Sequence, residues 1–339
     1  MKALIGMSGG VDSSVAAYLT RQAGYDCIGA TMKLWSDVSE DARSVARRLG
    51  IPFYSFDLSG EFEENVICPF IADYEAGLTP NPCIICNRHL KFGAFLEKAL
   101  ELGCEKIVTG HYARIFFENS RWQLRKAADE SKDQTYFLYR MTQNQLAHTL
   151  FPLGDLSKAD ARRIAEEQGF ITAQKRDSQD ICFIPDGDYL AFMERHTGKE
   201  YAPGNYLDLS GNIVGRHKGA VGYTLGQRKG LGIAMGAPVY VCAKDMTENT
   251  VTVGPNEALF QKTLRATDWN WIAIDELTEP VRVLAKARSR QAEQPAWVYP
   301  EENGLARVEF DEPQRAITPG QAVVLYDGEI VIGGGTITG

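Results

Sequence analysis

Seven residues near the start of the chain, Ser8-Gly9-Gly10-Val11-Asp12-Ser13-Ser14, follow directly on the apolar run Ala3-Leu4-Ile5. A strand that ends in a glycine pair and opens into a helix aims successive backbone N–H groups, and the positive end of the helix dipole, at one point. Anions bind at such a point. Gly9 and Gly10 let the main chain approach a phosphate with no Cβ in the way, while the hydroxyls of Ser8, Ser13 and Ser14 add hydrogen-bond donors. Asp12 is an acceptor able to hold a magnesium ion or to cap the helix. The lysine of a Walker A loop is missing, which sets the chain apart from the G-x-x-x-x-G-K-[ST] triphosphatases.

The rest of the N-terminal half supports a sheet behind that loop. Lys2–Ile5, Cys27–Met32, Phe53–Phe56 and Lys106–Thr109 read as strands, and Ser13–Ala23, Glu40–Leu49 and Phe92–Leu102 as helices. Alternation of this kind predicts an α/β domain with a parallel sheet, whose ligands lie beyond the carboxyl ends of the strands. Met32 and Gly110 fall at two such ends, so adenine is expected against Met32, with Gly110 leaving room for the nucleotide. After Tyr189 glycines and polar turns become frequent, and from about Leu264 short β-rich runs predict a small antiparallel β-barrel. The expected division is a catalytic domain over 1–190, a small central domain over 191–263 and the barrel over 264–339.

With 339 residues the chain is long enough for several cores, and no apolar run approaches the roughly 20 residues of a membrane span. A cytoplasmic location is expected. A formal net charge of −8 argues against bulk attraction to nucleic acid but leaves room for a local basic face.

Seven cysteines, an odd number without a secretory signal, do not suggest a disulfide framework. Cys83 and Cys86 form a C-x-x-C inside Thr79-Pro80-Asn81-Pro82-Cys83-Ile84-Ile85-Cys86-Asn87, and the helix expected after Asn87 should lower the pKa of a nearby thiol. Half a zinc site, a redox pair and a sulfur-carrying nucleophile all fit that pattern. The second C-x-x-C or H-x-x-x-H of a complete zinc site is missing.

The loop resembles the SGGxDS loop of ATP-pyrophosphatases, which split ATP into AMP and pyrophosphate to adenylate a carbonyl oxygen. GMSGGVDSS at 6–14, GLTPNPCIICN at 77–87, TGHYA at 109–113, KDQTYFL at 132–138, DSQDICFI at 177–184 and GYTLGQRKGLGI at 222–233 together resemble the bacterial tRNA-specific 2-thiouridylase family over essentially the whole chain. The resemblance implies replacement of the C2 oxygen of the wobble uridine by sulfur, after ATP, with Mg2+, has turned that oxygen into a leaving group. It also implies that Gly6, Met7, Ser8, Gly9, Gly10, Val11, Asp12 and Ser13, with Met32 and Gly110, hold ATP. Cys182 is implied to carry a persulfide received from a sulfur-relay protein or cysteine desulfurase. Cys86 is implied to release its terminal sulfur, leaving a transient Cys86–Cys182 disulfide.

On the same resemblance Asn81, Pro82 and Cys83 border a flipped-out base and Lys132, Asp133 and Gln134 contact tRNA, while Arg290, with Gln291 and Gln321 offering amides to sugar or base edges, is expected at tRNA from its side-chain chemistry. His111 is expected to position base or phosphate rather than titrate. Lys286, Arg288 and Arg290 read as a basic stripe along one face of a barrel strand, and Arg216, His217, Lys218, Arg228 and Lys229 as the basic part of the central region. Cys83 departs from the family, many of whose members carry Asp there, and an ordinary thiol is a poorer base at neutral pH than a carboxylate. Cys83, Cys86 and Cys182 could alternatively ligate three irons of a [4Fe–4S] cluster. A small-molecule adenylating ligase of the same fold is the competing function; it has no need of Cys86 and Cys182.

Overall fold

The N-terminal apolar runs assemble as a parallel sheet buried on both faces. The structure, a computed structural model, describes residues 1–35, 40–173, 175 and 181–339. Strands β1 (Lys2–Gly6), β2 (Asp26–Lys33), β3 (Phe53–Asp57) and β4 (Lys106–Val108) carry the expected runs, separated by helices α1 (Val11–Gln22) and α2 (Glu40–Leu49) among others. A hairpin of β5 (Arg114–Glu118) and β6 (Arg121–Arg125) follows, then the two-residue strand β7 (Thr149–Leu150). The sheet order is β3-β2-β1-β4-β7 with every pair parallel. Ala3, Leu4 and Ile5 are fully buried because alternate residues serve opposite cores. Leu4 packs with Ile28, Ile107, Phe92 and Phe95, whereas Ala3 and Ile5 face Val15 and Val45. Burial of each such Leu or Ile contributes about 1.5–3 kcal/mol.

The central region forms a four-stranded sheet of β8 (Gly204–Leu207), β9 (Ile213–His217), β10 (Tyr240–Asp245) and β11 (Thr250–Gly254), ordered β10-β11-β8-β9. Tyr206, Tyr223, Val241, Val251 and Val253 fill its core. The last six strands, β12 (Phe260–Trp271), β13 (Val281–Lys286), β14 (Gln294–Pro300), β15 (Ala306–Arg315), β16 (Ala322–Asp327) and β17 (Ile330–Ile337), run β12-β15-β14-β13-β16-β17. Pairing of β12 with β17 closes them into an antiparallel barrel. The α/β fold and the C-terminal barrel are thus as expected, although β12 opens at Phe260, before Leu264.

One connection between these parts has no counterpart in the sequence reading. Asn119 and Ser120 both have positive φ, the geometry of a tight hairpin turn, and fold β6 back on β5. Arg125 then pairs with Ile330, so the hairpin adds two strands to the barrel sheet.

Candidate active site

In the sheet the strand order reverses between β1 and β4, and ligands of such sheets bind in the crevice beyond the carboxyl ends of the strands at that point. The loop after β1 lines one side. Gly9 takes φ +75, and Gly10 precedes α1 in extended conformation without a side-chain cap, so α1 directs uncapped N–H groups outward. The hydroxyls brace the loop from behind. Ser13 Oγ donates to Gly10 O at 3.2 Å and accepts from Ser8 N at 3.2 Å, and Ser14 Oγ donates to Gly10 O at 2.8 Å. Met7 is buried, its sulfur seated where a Cβ on Gly29 would stand.

Asp12 does not cap the helix, as one alternative held. It lies within the first turn, where both carboxylate oxygens accept from Lys158 Nζ at 2.8 Å and one accepts from Tyr112 Oη at 2.9 Å. Gly110 has a reason to be glycine besides room for a nucleotide. A Cβ there would stand 2.7 Å from the carbonyl carbon of Asp12 and 2.8 Å from Ser13 N. The turn after β4 is thereby pressed against the start of α1.

The cysteine loop adjoins this crevice. Asn81 precedes a short helix, Pro82–Cys86, that continues as π-helical turns over Asn87–Ala94 and an α-helix over Phe95–Glu101. Proline suits such a first turn because its missing N–H would have no partner there. The helix therefore starts before Cys83 and not after Asn87. Phe92 on the π-helical turns meets His111, the neighbour of Gly110, with ring centroids 5.7 Å apart and planes tilted by 43°, and Met32 at the end of β2 packs against the clusters that hold Ile84 and Cys86. These contacts join the cysteine helix to the turn that carries Gly110 and His111.

Cys182 arrives from the far side, anchored by buried Phe183 and Ile184 in the same cluster as Cys86. All seven cysteines are free. Cys83 and Cys182 present surface at the mouth of the crevice, and Cys86 is buried behind them. Burial is the main force on all three thiols. It pushes Cys86 up to about 11 and raises Cys83 and Cys182, while Lys91 acts in the opposite direction on each. The expected lowering by a helix start is overturned: desolvation outweighs dipole and lysine together. Cys83 and Cys182 lie near enough to raise Cys86 by charge repulsion, and Cys83 does the same to Cys182.

His111 bonds Thr109 Oγ1 through Nδ1 at 2.7 Å and is lowered well below the usual histidine range by burial and then by Lys91. Among the described residues no three His, Cys, Asp or Glu side chains converge closely enough to hold a metal ion. The segment 176–180, which includes Asp177, Ser178, Gln179 and Asp180 of the motif before Cys182, lies outside the described residues.

The residues expected at tRNA divide into two groups. Asp133 accepts from Ala127 N at 3.0 Å and from Thr135 Oγ1 at 2.5 Å, and Gln134 exchanges bonds with the backbone of Tyr112. Lys132 ends the 3-10 turn beside them. Gln321 Nε2 donates to Thr79 O at 2.8 Å, clamping the barrel on the residues just before Asn81, and Gln291 Nε2 donates to Arg315 O at 3.0 Å. These amides and Asp133 shape the site from within. Arg290, by contrast, lines a cavity of about 1110 Å³ with Arg216, Lys218, Tyr223 and Gln227.

The basic stripe is corrected. The strand β13 ends at Lys286, and Arg288 beyond it turns inward to Leu225 O, Ala316 O and Thr318 Oγ1. His217 is likewise buried, accepting from Gly219 N through Nδ1 at 3.0 Å.

Fold and site define an α/β enzyme in which packed side chains join a glycine-serine loop to a cysteine-bearing helix, with two β-rich appendages. Sequence profiles described as the tRNA methyl transferase HUP domain, the tRNA methyl transferase PRC-barrel domain and the aminomethyltransferase beta-barrel domain match residues 1–186, 190–255 and 261–337. A tRNA-specific 2-thiouridylase of Acetivibrio thermocellus is 50% identical, the alignment covering 99% of both chains. One of Clostridioides difficile is 50% identical over 99% of this chain and 98% of its own. The chain belongs to the tRNA-specific 2-thiouridylase family. Among solved structures, a 4-thiouridine synthetase in complex with RNA and ATP aligns with 54% of this chain and 45% of its own at a TM-score of 0.39 and 19% identity, too distant to carry an argument.

Lys158 and Tyr112 are the site residues that the sequence reading did not assign. Lys158 stands 146 residues from its partner Asp12, and no local pattern links them.

Proposed function

We propose that the crevice couples two reactions on one tRNA uridine: adenylation of its C2 oxygen by ATP and delivery of sulfur by Cys182. The loop Gly6–Ser13 with Met32 and Gly110 holds ATP in this reading, and Asp12 would hold Mg2+, which would neutralise charge on the phosphates. Attack of the C2 oxygen on the α-phosphorus forms the O–P bond and releases pyrophosphate. A uracil carbonyl does not exchange oxygen for sulfur without such activation.

The nucleophile is a persulfide on Cys182, charged by a sulfur-relay protein or cysteine desulfurase. Its terminal sulfur adds to C2; Cys86 attacks the inner sulfur, the S–S bond breaks towards the base, and AMP departs as C2=S forms. A Cys86–Cys182 disulfide remains, and an external thiol reductant returns two electrons to restore both thiols. Asn81, Pro82 and Cys83 border the flipped base, His111 positions it, and Lys132, Asp133, Gln134, Arg290, Gln291 and Gln321 form or shape the tRNA path. Residues 1–190 supply the chemistry, 191–263 and 264–339 the grip on tRNA.

The single observation that carries this reading is the chain of contacts by which Phe92 links the cysteine helix to His111 and thence to Gly110 and Asp12. Mass spectrometry of tRNA nucleosides from a deletion strain tests it. Loss of 2-thiouridine, restored by the wild-type chain, is expected; undiminished 2-thiouridine in a strain with no second such enzyme would refute it. Iron and acid-labile sulfide assays on anaerobically purified protein test the sulfur source, and a cluster required for activity would overturn the persulfide.

A further inference from the structure

We propose that Lys158 supplies the cation that binds the phosphates of ATP, and that Asp12 and Tyr112 hold it ready above the loop. The inference rests on the reading that the loop binds ATP. A phosphate loop without its own lysine presents uncapped N–H groups and a helix dipole but no full positive charge. The deficit is made up from a distant part of the chain.

Lys158 is the first residue of the helix Lys158–Glu167, which packs beside α1 and is capped by Ser157. Its backbone N–H is anchored on Asp129 at 3.3 Å, and its stem passes over the Tyr112 ring with Nζ 5.9 Å from the centroid. The side chain is only 12% exposed, yet it ends on a carboxylate inside the first turn of the phosphate loop's helix. An ion pair whose carboxylate keeps 32% of its surface in water contributes little net stability, so its place beside an anion site points to use rather than to structure. A lysine ammonium carries its donors on a rotatable stem and turns from carboxylate to phosphate with little movement of the backbone.

Lys175, the other lysine at the loop, is spent differently. It is more exposed, donates to Gly9 O at 3.1 Å and pairs with Asp41.

The test is binding of ATP and of adenosine to the full-length chain by calorimetry. Lys158→Gln is expected to weaken ATP roughly tenfold to hundredfold, as loss of a charged hydrogen-bond partner does, while adenosine binds within twofold of wild type. Lys158→Arg is expected to keep most of the ATP affinity. Should Lys158→Gln misfold because Asp12 is left unpaired, the doubly neutral Asp12→Asn, Lys158→Gln chain is measured in its place with the same expectation. ATP binding within twofold of wild type, or equal losses for ATP and adenosine, would overturn the proposal. A wild-type chain that binds no ATP would instead overturn the adenylation reading on which it rests.

Discussion

Around Gly10 the backbone and the serine hydroxyls are bonded to one another, and Asp12 is bonded to Lys158 and Tyr112. Around Cys86 the sulfurs are unbonded to each other, and desolvation raises the pKa of each, that of Cys86 to about 11. One half of the crevice is organised in advance to receive charge, whereas the other keeps its nucleophiles quiet in the resting protein. The difference suits the two tasks. A phosphate is bound by fixed dipoles that need not reorganise, but a thiolate ready at all times would be oxidised or alkylated before a substrate came.

The strongest way to separate the halves is Cys182→Ser. Thiolation of tRNA should fall on the order of 10³-fold or more, as on removal of a nucleophile, while ATP affinity stays within twofold. An unchanged thiolation rate in single-turnover assays would break the assignment.

The resting state of Cys86 is open to a pH titration. Because the thiolate is the reactive form and its fraction falls tenfold for each pH unit below the pKa, iodoacetamide labelling of Cys86 should rise about a hundredfold from pH 7 to pH 9 and continue upward towards about 11. A plateau reached near pH 8, read by mass spectrometry of the Cys86 peptide, would show that the thiol is not held back.

Gly110→Ala attacks the organised half. Its Cβ would stand 2.7 Å from Asp12 backbone, and relief by a shift of the loop should cost about 1–3 kcal/mol, or roughly tenfold to a hundredfold in ATP affinity. Persulfide loading of Cys182, measured by alkylation and mass shift, should be unaffected. The smallest effect is expected from Gln321→Ala, which removes the barrel's bond to Thr79 O. A loss of about 1 kcal/mol, near fivefold in kcat/KM for tRNA, should appear without change in ATP binding. An equal loss of ATP affinity would mean that the two halves are coupled more tightly than their contacts suggest.

Local chemistry decided what could be read from the sequence. The glycine pair after Ile5 specifies strand, turn and helix by itself, and the repeated short β-runs specify a barrel. The thiol pKa went the other way because a sequence displays a helix start and a lysine, but not the apolar neighbours Phe62, Phe70 and Phe183 that desolvate Cys86. The stripe through Arg288 failed for a related reason. Alternation assigns a side chain to a face only while the strand lasts, and β13 stops two residues earlier. Contacts such as Lys158 to Asp12 and Gln321 to Thr79 join segments 146 and 242 residues apart and leave no local trace.

The hairpin β5–β6 has a consequence for how the chain is made. Ribosomes release the N-terminus first, so β6 emerges with an open edge that waits for Ile330, roughly 10 to 40 s later at ordinary elongation rates. An unpaired edge next to exposed Phe117 invites association with other nascent chains. Arg121 and Arg125 bracket that strand, Arg125 already paired with Glu118 inside the hairpin, and so place charge on the waiting edge from the moment it forms. Truncating the chain before Ile330 would make that temporary edge permanent, and loss of solubility would be its first symptom.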